Sequence, residues 1–355
     1  MEEKIKELQQ ELYVTLKKAE KARRIISLGR LLSYGGAFIY FLGILAMQVF
    51  LYSGGDASIF YTFNPEPTFW EQNKMLIIII PLFALIFIGG YALSYFQRKY
   101  SETEVMSIKR IIGTMFPEAT CKLTHNFLPP DLVMQSNFFG GTDKRLLSGR
   151  SFGLITFEYN DRKIIFRDVL INTSKSINRF SETYLGAILM LFKLIIKGLF
   201  AKRIENITGD FRGMFADAQL EKKITGSVVV LPDRLERHLD FLAKNIQALK
   251  NVSGNKLVIL EDVEFERHFA VYASDEITAR YVLTPAMMMR MTALKQKYNR
   301  DIMLSFNDDR FFFAVAMPEG FLTLGDTSLT TGEALRDLYD NFATARDIVN
   351  NLKIK

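Results

Sequence analysis

Two uncharged apolar runs, Leu31 to Tyr52 and Met75 to Phe96, constrain this chain more than any other feature. Each has about the 20 residues that a helix needs to cross a hydrocarbon core. A charge inside either would be costly. Together they predict a membrane hairpin over residues 31–97, carrying a large domain behind it. Lys17, Lys18, Lys21, Arg23, Arg24 and Arg30 precede the first run, and Arg98, Lys99, Lys109 and Arg110 come after the second. The connection from Ser53 to Asn73 holds no Lys or Arg. Positive charge stays on the cytoplasmic side, so both termini are expected there. Tyr52, Tyr61, Phe69 and Trp70 at one edge, with Tyr91, Tyr95 and Tyr100 at the other, suit interfacial belts. The first run starts too late and is too long for a cleaved signal peptide, and no small-residue cleavage site precedes the polar loop.

The net charge of +6 invites a nucleic-acid reading. Half of that excess falls within residues 1–100, where it is topology signal and a potential attraction for anionic lipid. No basic run is interleaved with aromatics, so the expected partner is the bilayer and not nucleic acid. Cys121 is the single cysteine and excludes an internal disulfide. The three histidines, His125, His238 and His268, are scattered, so neither a metal nor a cofactor is expected.

Ile5, Leu8, Leu12, Thr15, Ala19, Ala22 and Ile26 alternate at spacings of three and four. Residues 1–30 therefore read as an amphipathic cytoplasmic helix. Its seam would serve a second copy or partner through residues 5–26, or pack on the chain's own domain or the bilayer. A connecting helix is expected within 98–120, with Val105, Ile108, Ile112 and Met115 on one face and Pro117 at its end. Residues 121–355 read as α+β, with a mixed, mainly antiparallel sheet. Gly140-Gly141 marks a turn, and Phe152 to Phe157 with Lys163 to Val169 predict a hairpin around Asn160-Asp161. A strand at Val228 to Leu231 leads to a helix that Asp233 would cap, carrying Leu235, Leu239, Leu242, Ile246 and Leu249. Lys256 to Leu260 and Phe265 to Tyr272 read as strands. Thr284 caps a helix that starts with Pro285. Ile302 to Phe306 and Phe311 to Ala316 flank a turn at Asn307-Asp308-Asp309. A Thr330…Glu333 capping box opens a last helix with Leu335, Leu338, Phe342, Ala345, Val349 and Leu352 along one seam.

Residues 185–200, LGAILMLFKLIIKGLF, are apolar but too short and interrupted for an ordinary span. Lys193 and Lys197 lie one helical turn apart, so both ammonium groups leave from one side. An interfacial helix, with these lysines at the membrane surface, is one reading. A buried core helix and a re-entrant or partner-groove segment are the others.

The segments FRGMFADAQLEKKITGSVVVLPDR (211–234), KLVILEDVEFERHFAVYASDEITARYVLTPAMMMRMTALKQK (256–297) and IMLSFNDDRFFFAV (302–315) resemble the bacterial membrane proteins grouped as domain of unknown function 3137. The resemblance covers most of residues 121–352, and a hairpin before such a domain is similar too. The insert at 173–210 departs from it. The resemblance implies a bacterial inner-membrane protein, with a LemA-type membrane protein as the kind of companion.

Gly149-Arg150-Ser151-Phe152-Gly153 matches the nucleophile elbow of α/β-hydrolases, which needs a strand-to-helix turn to lift the serine. Residues 154–168 alternate like a hairpin instead, so a strand-flanking turn is expected and no residue is assigned to catalysis. Glu261, Asp262, Glu264 and Glu266 read as a solvated face. Asp275 and Arg280 either brace a corner as an ion pair or face a partner. Met287, Met288, Met289 and Met291 would pack the core or line an adaptable partner groove. The function expected is a non-enzymatic, membrane-anchored scaffold or regulatory module. A membrane-bound serine hydrolase using Ser151 and a subunit of an oligomeric channel or transporter are the alternatives.

Overall fold

The computed structural model describes residues 2–52, 74–139, 144, 147–159, 162–172, 192–196, 198–200, 211–220, 222–232 and 255–352. Two compact units divide the chain. Residues 1–13, 104–176 and 208–355 form the first, and residues 14–103 and 177–207 the second.

The first unit is α+β, built on a sheet with ten strands among the described residues. Its strands are β1 (Ala119–Lys122), β2 (Asn126–Leu128), β3 (Ser148–Tyr159), β4 (Arg162–Asn172), β5 (Phe211–Gln219), β6 (Ser227–Pro232), β7 (Lys256–Val258), β8 (Phe269–Ala273), β9 (Ile302–Asn307) and β10 (Arg310–Ala316). Their order is β1-β3-β4-β5-β10-β9-β6-β8-β7, with β2 beside β1 on β3. Every pairing is antiparallel. The β3–β4 hairpin forms as the alternation predicts, with Tyr159 opposite Arg162. Phe311 lies opposite Phe306 in the β9–β10 hairpin, where Asp308 takes the left-handed conformation (φ +56°) that tight turns demand.

The central strands β5, β6, β9 and β10 are buried on both faces, so their sequences run apolar without alternation. One face packs Phe211, Phe215, Phe312, Val229 and Leu231 against Leu128, Val133, Phe138 and Phe139, the last three in or just after the short helix α3 (Pro130–Gln135). The amphipathic helix α7 (Glu333–Leu352) turns Leu335, Leu338, Phe342 and Ala345 inward, and Phe342 meets Phe116 edge-on at 5.8 Å and Phe321 at 5.7 Å. Thr330 does not cap this helix. Gly332, at φ +82°, accepts the Arg336 N–H, while the Thr330 hydroxyl pairs with that of Ser328. The remaining helices of this unit are α4 (Val263–Glu266), α5 (Glu276–Val282) and α6 (Pro285–Tyr298). Thr284 caps α6 by accepting the Met287 N–H at 3.3 Å, with Pro285 in its first turn, as its sequence dictates.

Two boundaries differ from expectation. The amphipathic stretch and the first apolar run form one helix, α1 (Glu2–Tyr52), and the second run continues without a break through the connecting helix as α2 (Lys74–Met115). No breaker separates the paired segments. Pro117 disfavours helical backbone just before it, and α2 stops. The seam residues Ile5, Leu8, Ala19, Ala22 and Ile26 are buried within the single chain. At its start, Gln9 donates to the Thr330 carbonyl at 2.8 Å and Glu11 pairs with Arg110 at 2.8 Å.

In the second unit α1 and α2 pack antiparallel. A Cβ on Gly89 would come within 2.8 Å of the Ser33 nitrogen and 2.9 Å of the Gly29 carbonyl, so the backbones touch. Tyr40 and Phe83 meet edge-on at 5.6 Å. α1 is long and apolar enough over Glu2–Ala46 to cross a membrane, and only 17% of its most apolar window is buried. Several features expected from the sequence lie outside the described residues: the 53–73 connection, the turns at Gly140-Gly141 and Asn160-Asp161, the 235–249 helix, His238, residues 185–191 and Lys197.

Candidate interaction surface

The segment from Asn255 to Tyr298 closes one end of the sheet, and its exposed side chains form the candidate surface. Among the described residues, edge strand β7 pairs only with β8, through Lys256 to Val258. The chain then turns into α4, where a strand was expected. Asp262 caps this turn by accepting the Phe265 N–H at 3.0 Å, which places Phe265 fully inside. Glu264 and Glu266 therefore do not share a strand face. Glu266 accepts the Leu260 N–H at 2.7 Å, and Glu264 accepts from Gln296 at 3.1 Å. The acidic cluster is a set of local braces.

Asp275 and Arg280 do not pair with each other. Asp275 is the N-cap of α5, accepting the Thr278 N–H at 2.7 Å, and that hydrogen bond holds its carboxyl below the usual carboxylate range. Arg280, one turn along, grips Glu276 at 2.7 Å and reaches Glu261 at 3.2 Å, which pushes its pKa further up. Thr278 donates to the Thr225 carbonyl at 3.1 Å, and Ser274 receives the Ser227 N–H at 3.1 Å. Short as it is, α5 is tied down at its first turn and, through Arg280, to the loop after β7.

Those ties hold two large apolar side chains in water. Ile277 is 83% exposed and Tyr281 65%, one helical turn apart and flanking Arg280. On the loop that Arg280 reaches, Ile259 is 72% exposed, and Leu257 and Val263 are exposed beside it. An isolated exposed isoleucine is ordinary, but several on braced elements of one corner are not. Sequence reasoning missed Ile277 and Tyr281. The signal was available: Asp275 before Glu276-Ile277-Thr278-Ala279-Arg280-Tyr281 is an N-cap leading into a helical turn, with Ala279 as its inward residue. Of the four methionines in α6, Met287, Met288 and Met291 are buried in the core and Met289 faces out.

Other candidates are occupied structurally. Gly149, Ser151 and Gly153 all lie within β3, where a bulge separates Ser151 from Gly153. The Ser151 hydroxyl is buried and donates to the Gly153 carbonyl at 3.1 Å, and no strand-to-helix turn lifts it. Arg212 forks onto the fully buried Asp168 and donates to the Val169 carbonyl at 3.0 Å. Asp168 also accepts the Phe321 N–H at 3.0 Å, and the guanidinium lies 4.2 Å from the Phe152 ring centre. Between α6 and α7, Lys297 and Tyr298 converge on Asp347 at 2.6 and 2.8 Å. Burial pushes that carboxyl up, but the two hydrogen bonds prevail and hold it low. Among the described residues no three His, Cys, Asp or Glu side chains are grouped to hold a metal ion. Lys193 is exposed on the helical stretch 192–196 of the second unit.

With this geometry in place, residues 209–354 match a family described as protein of unknown function (DUF3137). This part of the chain is similar to that family. The match takes in every element from β5 to α7, the candidate surface included, and stops short of the 121–208 stretch that the resemblance was expected to reach. No protein of curated function matches the chain. A crystal structure of the mycobacterial trehalose monomycolate transport factor A, TtfA, is similar at 8% identity over 58% of this chain and 74% of that one. Its TM-score is 0.28, too low to carry a conclusion about this chain.

Proposed function

We propose that this DUF3137 protein is a membrane-anchored, non-enzymatic module that binds other membrane proteins through the α5 corner of its sheet. The observation that carries the reading is the pair Ile277 and Tyr281, held in water on a helix braced by Asp275, Thr278 and Arg280. Exposed aromatic and apolar side chains around an arginine are the composition that interface centres favour. Anchoring is supported by α1 and α2. Their outward side chains Ile39, Phe87 and Ile88 are exposed, where a soluble protein would bury them. Their glycine-mediated backbone contact is the kind by which membrane helices associate. The basic flanks orient both termini to the cytoplasm of a bacterial inner membrane. A LemA-type membrane protein is the partner class that the family resemblance implies.

The test is purification of the full chain from native membranes in mild detergent, with bound proteins identified by mass. A stoichiometric membrane protein should accompany both the unaltered chain and Ser151→Ala, and be lost with Ile277→Asp although the folded chain is recovered. Retention of that partner by Ile277→Asp, or its absence from the unaltered chain, would overturn the reading.

A further inference from the structure

The insert between β4 and β5 is longer than the sheet requires. These strands are antiparallel neighbours, with Ile171 opposite Phe211. A hairpin joins such strands in about 2–5 residues. Here residues 173–210 intervene, and 177–207 of them cluster with α1 and α2 in the second unit.

The place of the insert is defined by contacts. Residues 192–196 and 198–200 are helical. Phe192 stacks on Phe38 with ring centres 5.6 Å apart and lies 5.4 Å from Phe41. Further along, Gly198 is packed so closely on Tyr34 that a Cβ would collide with its ring, and Leu199 reaches Gly35. The stretch therefore runs antiparallel to α1, with Phe192 opposite Phe38 and Phe41, and Gly198 and Leu199 opposite Tyr34 and Gly35. A Cβ at 198 would force the Tyr34 ring to move, so this is a close helix contact. An amphipathic helix lying on headgroups would need no such register.

Depth is set by helix geometry. Phe38 and Phe41 lie seven and ten residues beyond Leu31, which at the rise of an α-helix is about 10–15 Å. That is roughly one leaflet of a hydrocarbon core of about 30 Å. Because both ends of the insert return to one sheet, it must leave the bilayer on the side where it entered. Lys193 sets the same limit, since its ammonium has to reach polar surroundings along one lysine stem.

We infer that residues 192–196 and 198–200 belong to a re-entrant element, inserted in a single leaflet and packed on the first span, with lipid acyl chains as outer neighbours. This rests on the reading of α1 and α2 as membrane spans, and the test separates the two. In the full chain, Trp70→Phe removes the single native tryptophan. New tryptophans are then placed one at a time by Phe192→Trp, by Phe200→Trp, by Phe87→Trp on α2 and by Phe127→Trp on β2. Phe200, Phe87 and Phe127 are exposed, and of the three Phe87 has a ring neighbour in Phe83, which another aromatic ring at that position retains. Each chain is reconstituted in phosphatidylcholine vesicles carrying bromine at mid-chain or near the headgroup.

Phe87→Trp and Phe192→Trp should be quenched several-fold more by mid-chain bromine than by aqueous iodide. Phe200→Trp should respond most to bromine near the headgroup, and Phe127→Trp to iodide alone. Should Phe192→Trp fail to assemble, the Phe200→Trp profile decides. Quenching of Phe87→Trp by lipid with Phe192→Trp and Phe200→Trp open to iodide would overturn the re-entrant element and leave the spans intact. Loss of lipid quenching at Phe87→Trp would bring down the spanning reading, and this inference with it.

Discussion

Asp168 and Arg212 meet inside the sheet with almost no solvent to share their charge. Neither residue type announces this in the sequence, where Asp168 stands in an alternating strand and Arg212 in an apolar one. Breaking such a pair strands the survivor, at about 3–5 kcal/mol. Asp168→Ala is therefore expected to lower the unfolding free energy by about that much, read by denaturant titration. A loss below about 1 kcal/mol would mean the pair behaves as a surface bridge. Cys121 shows the same control by surroundings. Burial raises its thiol to about 11, against a smaller downward pull from Lys109. The thiolate is the reactive form, and a raised pKa keeps it scarce at neutral pH. Alkylation by iodoacetamide, tracked by mass, should be slow at neutral pH and accelerate only as pH approaches that value. Fast neutral labelling would show the thiol is not shielded.

At the scale of elements, local chemistry was legible where a residue acts on its own backbone. Pro117 stops α2, Thr284 and Pro285 open α6, and Asp308 turns the β9–β10 hairpin. Errors came where two periods fit the same residues. Val263 to Glu266 alternates apolar and acidic as a strand would, yet Asp262 as N-cap makes it a helical turn. Glycines divide similarly by context. Gly89 lies at the contact of α1 with α2, whereas an added Cβ on Gly43 meets nothing within 4 Å. Gly89→Leu should force the two helices apart and lower the thermal stability of the detergent-solubilised chain. Gly43→Leu should leave it within experimental scatter. Equal effects would mean that helix propensity, not the crossing, governs both sites.

For the whole molecule, anchoring makes one simple demand. Two spans are not displaced by ionic or alkaline treatment, whereas a peripheral protein is. The full chain should remain with the membranes after a carbonate wash and leave only with detergent. Release by carbonate would reduce α1 and α2 to a soluble helical pair. The insert also belongs to this scale, because its composition alone was compatible with an interfacial, a buried or a re-entrant segment. Phe192 against Phe38 and Gly198 against Tyr34 set it on α1, and such contacts join residues far apart in the chain.

By itself the sequence determined the properties written in neighbouring residues: long apolar helices, caps and turns, an α+β domain, and kinship with the DUF3137 family over residues 209–354. Those arise from backbone geometry and solvent transfer, which act over one or two turns. Only the tertiary structure decided which polar groups are spent on the fold. It turned Ser151 toward its own strand, closed Met287, Met288 and Met291 into the core, and buried Ile5, Leu8, Ala19, Ala22 and Ile26 of the first seam. It also left Ile277 and Tyr281 outside. Burial is a relation between distant segments, and a linear pattern shows which residues are apolar without showing which of them find cover.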